Sequence, residues 1–244
     1  MAVRWIKLDR VSSTNAYIAG LLKREDLCEE LVVFADYQEA GKGRGMNRWH
    51  SDRGKNLLMS VLLFPVFLSA DRQFYLSKAA SLALSDLIRA FGIYPRIKWP
   101  NDIVIGSGKV AGILIEHGVV RRALTHSIVG VGMNLNQTDF PPFEVPATSI
   151  LLETGHAAAP LETARKLHDH LHERLDQLEK SAYGEMDGEY RDLLYRAGET
   201  THFISGKRSF QGIILGVNEY GELLVEEEGT TRAFGFQEIK FARY

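Results

Sequence analysis

The sequence contains very little cysteine: Cys28 is the single one in 244 residues. A disulfide within the chain is therefore excluded, and such a composition is typical of proteins from a reducing compartment. The sequence also lacks an apolar run as long as a signal-peptide core or the roughly 20 residues that cross a bilayer. We therefore expect a soluble, cytoplasmic protein with no membrane partner.

The sequence also has no large excess of charge of either sign. Lys and Arg number 29, Asp and Glu number 31, and the formal net charge is −2. This balance carries no signal for nucleic-acid binding, so we expect no nucleic-acid partner. With 45% hydrophobic and 25% charged residues, the composition is that of an ordinary globular protein. The length suffices for one sizeable domain and a smaller one.

Apolar periodicity predicts a mixture of helices and strands over the first part of the chain. Ser12, Ser13 and Thr14 precede an apolar segment and are typical of a helix N-terminus. Apolar residues at helical spacing predict two longer helices, 73–91 and 161–178. Short apolar runs predict strands at 31–35, 57–64, 96–99, 103–105, 110–116 and 127–136.

Three histidines, His168, His170 and His172, lie close together in the second long helix. We expect them not to share one face of that helix. A metal site at these histidines is therefore disfavoured, and a solvated helix face is the expectation.

The character of the sequence changes after Tyr195. Short apolar runs around 203–204, 212–217, 223–225 and 232–234 are separated by turn signals such as Ser-Gly-Lys and Glu-Gly. About fifty residues of closely spaced strands predict a small β-barrel. We therefore expect two domains, 1–194 and 195–244.

The most informative segment is 98–112, which reads Lys-Trp-Pro-Asn-Asp-Ile-Val-Ile-Gly-Ser-Gly-Lys-Val-Ala-Gly. Its Gly-Ser-Gly turn joins two extended runs, so Lys98, Asn101, Asp102 and Lys109 are predicted to converge at one end of a sheet. Two cations beside an amide and a carboxylate suit an anion, such as a phosphate with its magnesium. A hairpin with ordinary surface lysines is the alternative.

A second segment, 38–56, is rich in glycine and basic residues. Four glycines allow the backbone to approach a ligand closely and present its N–H groups. The spacing differs from a Walker P-loop, which needs Gly-Lys-Ser/Thr at the start of a helix. We expect a loop that orders over a small anionic ligand, with a mobile solvated loop as the alternative. Its basic residues are Lys42, Arg44, Arg48, Arg53 and Lys55.

A third segment, Val-Gly-Val-Gly-Met-Asn-Leu-Asn at 129–136, is predicted to end a strand. Glycines there would let a flat ligand lie against the backbone, and Asn134 can hydrogen-bond a polar ring edge. The pattern is weak alone and gains value beside the other two segments.

Together these segments resemble the biotin protein ligases. The resemblance rests on Ser13-Thr14-Asn15, the loop 41–49, the block 98–102, Lys-Val-Ala-Gly-Ile-Leu from Lys109, and 130–136, and it runs from about residue 8 to the C-terminus. The family loop is often Gly-Arg-Gly-Arg-Arg-Gly-Arg, whereas this chain has Gly-Lys-Gly-Arg-Gly-Met-Asn at 41–47. Lys42 and Arg44 keep a cation, and Arg48 is a candidate substitute for the later arginines.

The resemblance implies an α+β fold. Its mixed β-sheet with flanking helices is like that of class II aminoacyl-tRNA synthetases, and an SH3-like β-barrel follows. It also implies a reaction in two steps, with biotin and ATP as substrates and Mg2+ as cofactor. The carboxylate of biotin attacks the α-phosphorus of ATP to give biotinyl-5′-AMP and pyrophosphate. A lysine of a biotin carboxyl carrier protein then takes the biotinyl group. A homodimer is left open.

The resemblance also implies site residues. Lys109, Arg44 and Asp102 are the expected catalytic residues, with Lys109 nearest the carboxylate and α-phosphate. For biotin it implies Ser13, Thr14, Asn15, Gln38, Gly41, Lys42, Arg44, Trp99, Lys109, Gly112, Gly130 and Gly132. For ATP it implies Lys42, Arg44, Asn47, Arg48, Trp49, Asn56, Lys98, Asn101, Asp102 and Asn134.

Three other functions compete with this interpretation. A lipoate ligase also makes an acyl-adenylate, but its arginine- and glycine-rich signature with a His-Asp pair is absent. A biotin-sensing repressor needs an N-terminal DNA-binding domain, and the resemblance begins within the first ten residues. A non-catalytic carrier-binding module is disfavoured because Lys98, Asn101, Asp102 and Lys109 are all present.

Overall fold

A seven-stranded mixed sheet forms the centre of the larger part of the molecule. The structure is a computed structural model that describes residues 3–45, 47–143 and 145–242. Its strand order is β1-β2-β3-β7-β6-β5-β4. The first two strands pair in parallel and all other neighbours are antiparallel. The strands are β1 (Arg4–Leu8), β2 (Leu31–Ala35), β3 (Leu57–Leu63), β4 (Arg96–Lys98), β5 (Asp102–Ile105), β6 (Gly108–Val120) and β7 (Ala123–Met133).

Helices cover both faces of this sheet. Alternate residues of a strand point to opposite faces, and β2 places Val32 in the main hydrophobic core but Leu31 in a second, smaller core. The first helix, α1, packs in the smaller core, and the longer α2 and α4 pack in the main one. Burial on both sides explains why β2 and β3 are continuous apolar runs. The helices are α1 (Thr14–Leu22), α2 (Phe74–Arg89), α3 (Ile150–Thr154), α4 (Pro160–Glu179) and α5 (Tyr183–Leu193).

A second, antiparallel sheet of five strands follows, in the order β11-β10-β9-β8-β12. Phe203 contacts both Phe210 and Phe241 within it, with ring centroids less than 6 Å apart. The prediction of closely spaced C-terminal strands is confirmed, and the sheet corresponds to an SH3-like unit. Its strands are β8 (Thr200–Ser205), β9 (Arg208–Val217), β10 (Leu223–Glu227), β11 (Thr230–Phe234) and β12 (Lys240–Phe241).

Polar and aromatic contacts fix this second sheet against the first part of the chain. The buried ammonium of Lys78 on α2 lies 2.5 Å from Asp187 of α5 and donates to the carbonyl of Val217 at 3.2 Å. Trp99 Nε1 donates to the carbonyl of Gly221 at 3.0 Å. These bonds hold the C-terminal strands beside the β4–β5 hairpin, which brings that unit to the edge of the site described below.

The predicted elements are mostly confirmed, with four omissions and one error. The omissions are β1, α3, α5 and β12, and β6 and β7 form a longer hairpin than the apolar runs indicated. The error concerns the histidines: His168 and His172 do share a face of α4, because positions four apart are neighbours on a helix, and both bond Glu30. His170 points elsewhere and bonds Glu173. Among the described residues, no helix is long and apolar enough to cross a membrane.

Candidate active site

The three segments singled out in the sequence meet around one pocket, with a volume of about 110 Å³. The start of α1, the loop after β2, the β4–β5 hairpin and the paired strands β6 and β7 contribute its walls. The predicted residues among its lining are Ser13, Thr14, Asn15, Gln38, Lys42, Arg44, Asn47, Arg48, Trp49, Asn101, Asp102, Lys109, Gly112, Gly130 and Gly132. The fold thus brings most of the predicted residues together around this pocket.

A buried hydrogen-bond network forms the wall at the start of α1. Ser13 caps the helix, and the side-chain oxygen of Gln38 accepts from the backbone N–H of Thr14 at 2.7 Å and from its hydroxyl at 3.0 Å. The hydroxyl of Ser60 lies 2.6 Å from both Thr14 Oγ1 and Asn15 Oδ1. Because these partners restrain each other, the wall presents polar groups in one fixed arrangement.

Asn15 is held from the other side by β6. Its amide nitrogen donates to Glu116 Oε2 at 2.7 Å and to the carbonyl of Leu114 at 3.3 Å. Gly130 lies beneath it, and any side chain there would overlap Asn15 Oδ1. Ser60 and Glu116 were missed in the sequence. Their signal is a lone polar residue inside an apolar strand, a pattern that becomes informative only when the partner across the sheet is known.

Glycines on neighbouring strands make a flat floor for the pocket. Gly112 of β6 pairs directly with Gly132 of β7. The indole of Trp49 lies across both, so a Cβ at Gly132 would overlap the ring and one at Gly112 would lie 3.1 Å from Trp49 Cζ3. The indole N–H is buried and has no hydrogen-bond partner within the described part of the chain. The glycines are therefore required for a planar group to lie on the sheet.

The charged end of the pocket is formed by the β4–β5 hairpin and the start of β6. Lys109 Nζ lies 2.7 Å from Asp102 Oδ1 and 5.6 Å from the centroid of the Trp49 ring. Both charged side chains are about three-quarters buried. The amide nitrogen of Asn101 donates to the carbonyl of Ile113 at 3.0 Å, which leaves its oxygen available for a ligand. The site thus holds a preorganised cation with a neighbouring carboxylate.

The basic loop folds back on itself over this end. Lys42 and Arg48 form an antiparallel β-bridge, and the backbone N–H of Trp49 donates to the carbonyl of Gly41 at 2.9 Å. Gly41 cannot carry a side chain, because a Cβ there would lie 2.6 Å from the Trp49 carbonyl oxygen. Gly41 therefore shapes the loop and does not line the pocket itself.

Arg44 connects the loop to the C-terminal unit. Its guanidinium carbon lies 3.6 Å from the centroid of the Phe236 ring, a cation–π contact. Burial lowers the pKa of Arg44 from its ordinary value. Phe236 in turn stacks on Trp99, with ring centroids 5.4 Å apart. The role of Phe236 could not be read from the sequence, because nearly 200 positions separate it from the loop.

Four predicted residues lie outside the main pocket besides Gly41. Trp99 and Lys98 line a neighbouring cavity of about 300 Å³ against Phe241. Asn134 lines another of about 420 Å³, which shares Trp49, Asp102 and Lys109 with the main pocket. Asn56 is buried, bonds Ser51 and Gln137, and accepts from the backbone of Leu135, so it supports the strand ends and does not face a ligand here.

These features define a class of structure: a mixed sheet with a glycine floor, a basic covering loop and a C-terminal antiparallel unit. The structure of biotin protein ligase from Aquifex aeolicus in complex with biotin and ATP is similar, with a TM-score of 0.82, 26% identity and 99% of each chain covered. A family model described as the biotin/lipoate A/B protein ligase family matches residues 8–134, more than half of the chain.

Curated relatives agree with this match. A biotin–[acetyl-CoA-carboxylase] ligase of Paracoccus denitrificans is 31% identical over 96% of this chain and 99% of its own length. A bifunctional ligase/repressor BirA of Bacillus spizizenii is 38% identical over 58% of this chain and 44% of its own length, so the chain spans less than half of that relative. The chain belongs to the biotin/lipoate A/B protein ligase family.

Proposed function

We propose that this chain is an ATP-dependent biotin–protein ligase. It joins biotin to ATP to form biotinyl-5′-AMP and pyrophosphate, then transfers the biotinyl group to a lysine of a biotin carboxyl carrier protein of a carboxylase and releases AMP. Family membership and the similarity to a relative named for this activity over nearly its whole length support the proposal. The observation that carries it is the pocket itself, where a half-buried lysine adjoins both a glycine floor and a polar wall.

The first step brings two anions together, the carboxylate of biotin and the α-phosphate of ATP. An oxygen of the carboxylate forms a bond to the α-phosphorus, and the bond from that phosphorus to the leaving pyrophosphate breaks. We propose that Lys109 neutralises the negative charge of these two groups, because its ammonium is fixed beside Asp102 at the end of the glycine floor. A fixed cation stabilises the transition state without reorganising solvent. The protein's other task is to align the two substrates.

The polar wall at α1 suits the ureido ring of biotin, which both donates and accepts hydrogen bonds. Ser13, Thr14 and Gln38 offer hydroxyl and amide groups there, and Asn15 is fixed by Glu116. The apolar part of biotin then lies along β6 and β7 beside Gly130 and Gly132, whose bare backbones let Asn15 and the Trp49 indole come close to the sheet. We place biotin along this line, with its carboxylate toward Lys109.

The nucleotide belongs on the side of the covering loop. Lys42, Arg44 and Arg48 supply positive charge there, and Asn47 and Trp49 line the same pocket. Asn134 and Trp49 line the adjoining cavity, which we assign to the adenine end. A mixed anhydride hydrolyses readily, so a loop that excludes water protects biotinyl-5′-AMP until a carrier lysine arrives.

Magnesium fits the donor set on this side. Asp102 would supply one carboxylate and Asn101 one amide oxygen, and Mg2+ is commonly held by one or two carboxylates together with substrate phosphates. When bound, the ion neutralises phosphate charge. Asp102 itself holds the ammonium of Lys109 in place.

The carrier protein as partner and a cytoplasmic location are part of the proposal, and a homodimer stays open. The division into two domains at residue 195 is also part of the proposal, and the beginning of the second sheet at Thr200 supports it. A pull-down with an apo-carrier domain tests the partner, and sedimentation equilibrium tests the assembly.

Biotin-dependent exchange of labelled pyrophosphate into ATP tests the function. We expect exchange with biotin and none above background with lipoate. Exchange with lipoate alone would assign the chain to the lipoate branch of the family, and no exchange with either acid would refute the ligase proposal. An exposed lysine in the β8–β9 turn, Lys207, provides a matched control for substitutions at Lys109.

A further inference from the structure

A second cluster of functional groups lies outside the pocket, where α4 meets the beginning of β2. One carboxylate oxygen of Glu30 accepts hydrogen bonds from Nε2 of His168 at 2.6 Å and from Nε2 of His172 at 3.0 Å. The three potential ligand atoms all lie within 4.8 Å of one another. None of these residues lines the candidate active site.

Regular elements on two sides hold this cluster in place. His168 and His172 are four residues apart on α4, which puts their rings side by side with centroids 4.5 Å apart. His168 is buried and packs edge-on against Trp5 of β1 at 5.4 Å. Glu30 directly precedes the fully buried β2, so its backbone is anchored by the sheet. The ligand geometry therefore does not depend on a long loop.

The donor set is that of a transition-metal site. Two imidazole nitrogens and a carboxylate oxygen are the ligands of His2Glu zinc sites, and imidazole also suits Ni2+ and Co2+. Tetrahedral coordination at about 2.0–2.1 Å separates ligand atoms by about 3.3 Å. Each histidine nitrogen therefore needs to move less than about 1 Å from the Glu30 oxygen, and the two histidine nitrogens, which lie within 4.8 Å of each other, need to lie about 3.3 Å apart. The side chain of His172 is 39% exposed, which gives an ion and a water ligand access.

We propose that Glu30, His168 and His172 bind one divalent transition-metal ion of the Zn2+ class, with water completing the coordination. Each imidazole then coordinates through Nε2 and carries its proton on Nδ1. Asp169 lies 3.9 Å from Nδ1 of His168 and can accept that proton's hydrogen bond after a small shift. The ion cross-links the chain at residue 30 to a helix more than 130 positions later, so its role is structural.

Titration of the metal-stripped protein, without a polyhistidine tag, tests this site. We expect Co2+ to bind with one-to-one stoichiometry and to give visible d–d absorption of a four- or five-coordinate ion. We also expect Zn2+ to displace it and to raise the melting temperature. His172→Gln and Glu30→Gln should each weaken Co2+ binding at least tenfold. Glu30→Gln retains an acceptor oxygen for the histidines, so it separates metal binding from hydrogen bonding.

Two control variants make the outcome decisive. His170 bonds Glu173 on another face of α4, and Cys28 is exposed near Glu30 in sequence. His170→Gln and Cys28→Ser should bind Co2+ like the wild type. Absence of stoichiometric binding in the wild type overturns the proposal, as does a loss in either control equal to that in His172→Gln. Circular dichroism without metal verifies that each variant is folded.

Discussion

The contact between Arg44 and Phe236 yields a prediction about how the C-terminal unit contributes to catalysis. The guanidinium lies 3.6 Å from the ring centroid, and Arg44 is one of three cations that the covering loop brings to the pocket. Phe236→Leu keeps most of the apolar volume against Trp99 but removes the π face. We expect the loop to lose its preferred position and ATP to bind more weakly.

The magnitude follows from the exposure of the pair. Cation–π contacts contribute about 0.5–1 kcal/mol at exposed sites and about 2 kcal/mol when desolvated. Arg44 is partly buried and Phe236 is 39% exposed, so about 1 kcal/mol is the appropriate value. That free energy corresponds to an increase of about fivefold in KM for ATP. The KM for biotin should change little, because the wall at α1 does not touch Phe236.

Steady-state pyrophosphate release at varied ATP and saturating biotin measures this effect. Phe236→Tyr keeps the aromatic face and is the matched control, with KM for ATP close to that of the wild type. Equal impairment of both variants would show that packing against Trp99 matters and the cation–π contact does not. An unchanged KM in Phe236→Leu would refute the reasoning outright.

Three further predictions concern the sheet. Gly132→Val should displace the Trp49 indole, shift its fluorescence and weaken biotin binding at least tenfold, whereas retained binding measured by calorimetry would contradict the flat-floor account. Glu116→Ala removes the 2.7 Å partner of Asn15 and should raise KM for biotin about fivefold, about 1 kcal/mol, with kcat unchanged. Burial, and secondarily the charge of His126, lowers the pKa of His117. The folded state therefore favours neutral His117, and the stability that this gives is present above pH 6.5 and lost as the pH falls and the unfolded chain binds the proton. His117→Gln removes this titration, so the denaturation midpoint of the variant should decline less steeply below pH 6.5 than that of the wild type.

Local sequence information accounts for much of the fold. β2 was bounded correctly because a run buried on both faces is apolar throughout. The start of α1 was predictable because one side chain, Ser13, accepts a hydrogen bond from a free backbone N–H at the helix end. In contrast, β1 has only exposed and half-buried residues at the edge of the sheet, and α5 contains two glycines. Tertiary packing stabilises both elements against weak local preference.

The site was predictable where its residues lie close in sequence and unpredictable where they do not. The hairpin at 98–109 places Asn101, Asp102 and Lys109 together through one short turn. Trp99 belongs to the same motif, but its indole points away from the pocket toward Gly221. Sequence spacing does not encode that choice, because it depends on the docking of the C-terminal unit.

The same distinction explains the histidines of α4. The four-residue spacing of His168 and His172 already places them on one face of α4, but it does not reveal their third polar partner, Glu30, which lies 138 positions from His168 in the sequence. Only the packing of α4 beside β1 and β2 brings the carboxylate between the two rings. A cluster of this kind is visible in the fold and absent from any local pattern.

Direct detection of the intermediate is the measurement that tests the central claim. In a single turnover with biotin and ATP but no carrier, mass spectrometry should find about one equivalent of biotinyl-5′-AMP bound to the wild type and to Lys207→Ala. In Lys109→Ala the rate of its formation should fall at least a hundredfold, the typical cost of losing a group that stabilises charge in the transition state. Absence of the intermediate in the wild type, or an undiminished rate in Lys109→Ala, would contradict the account.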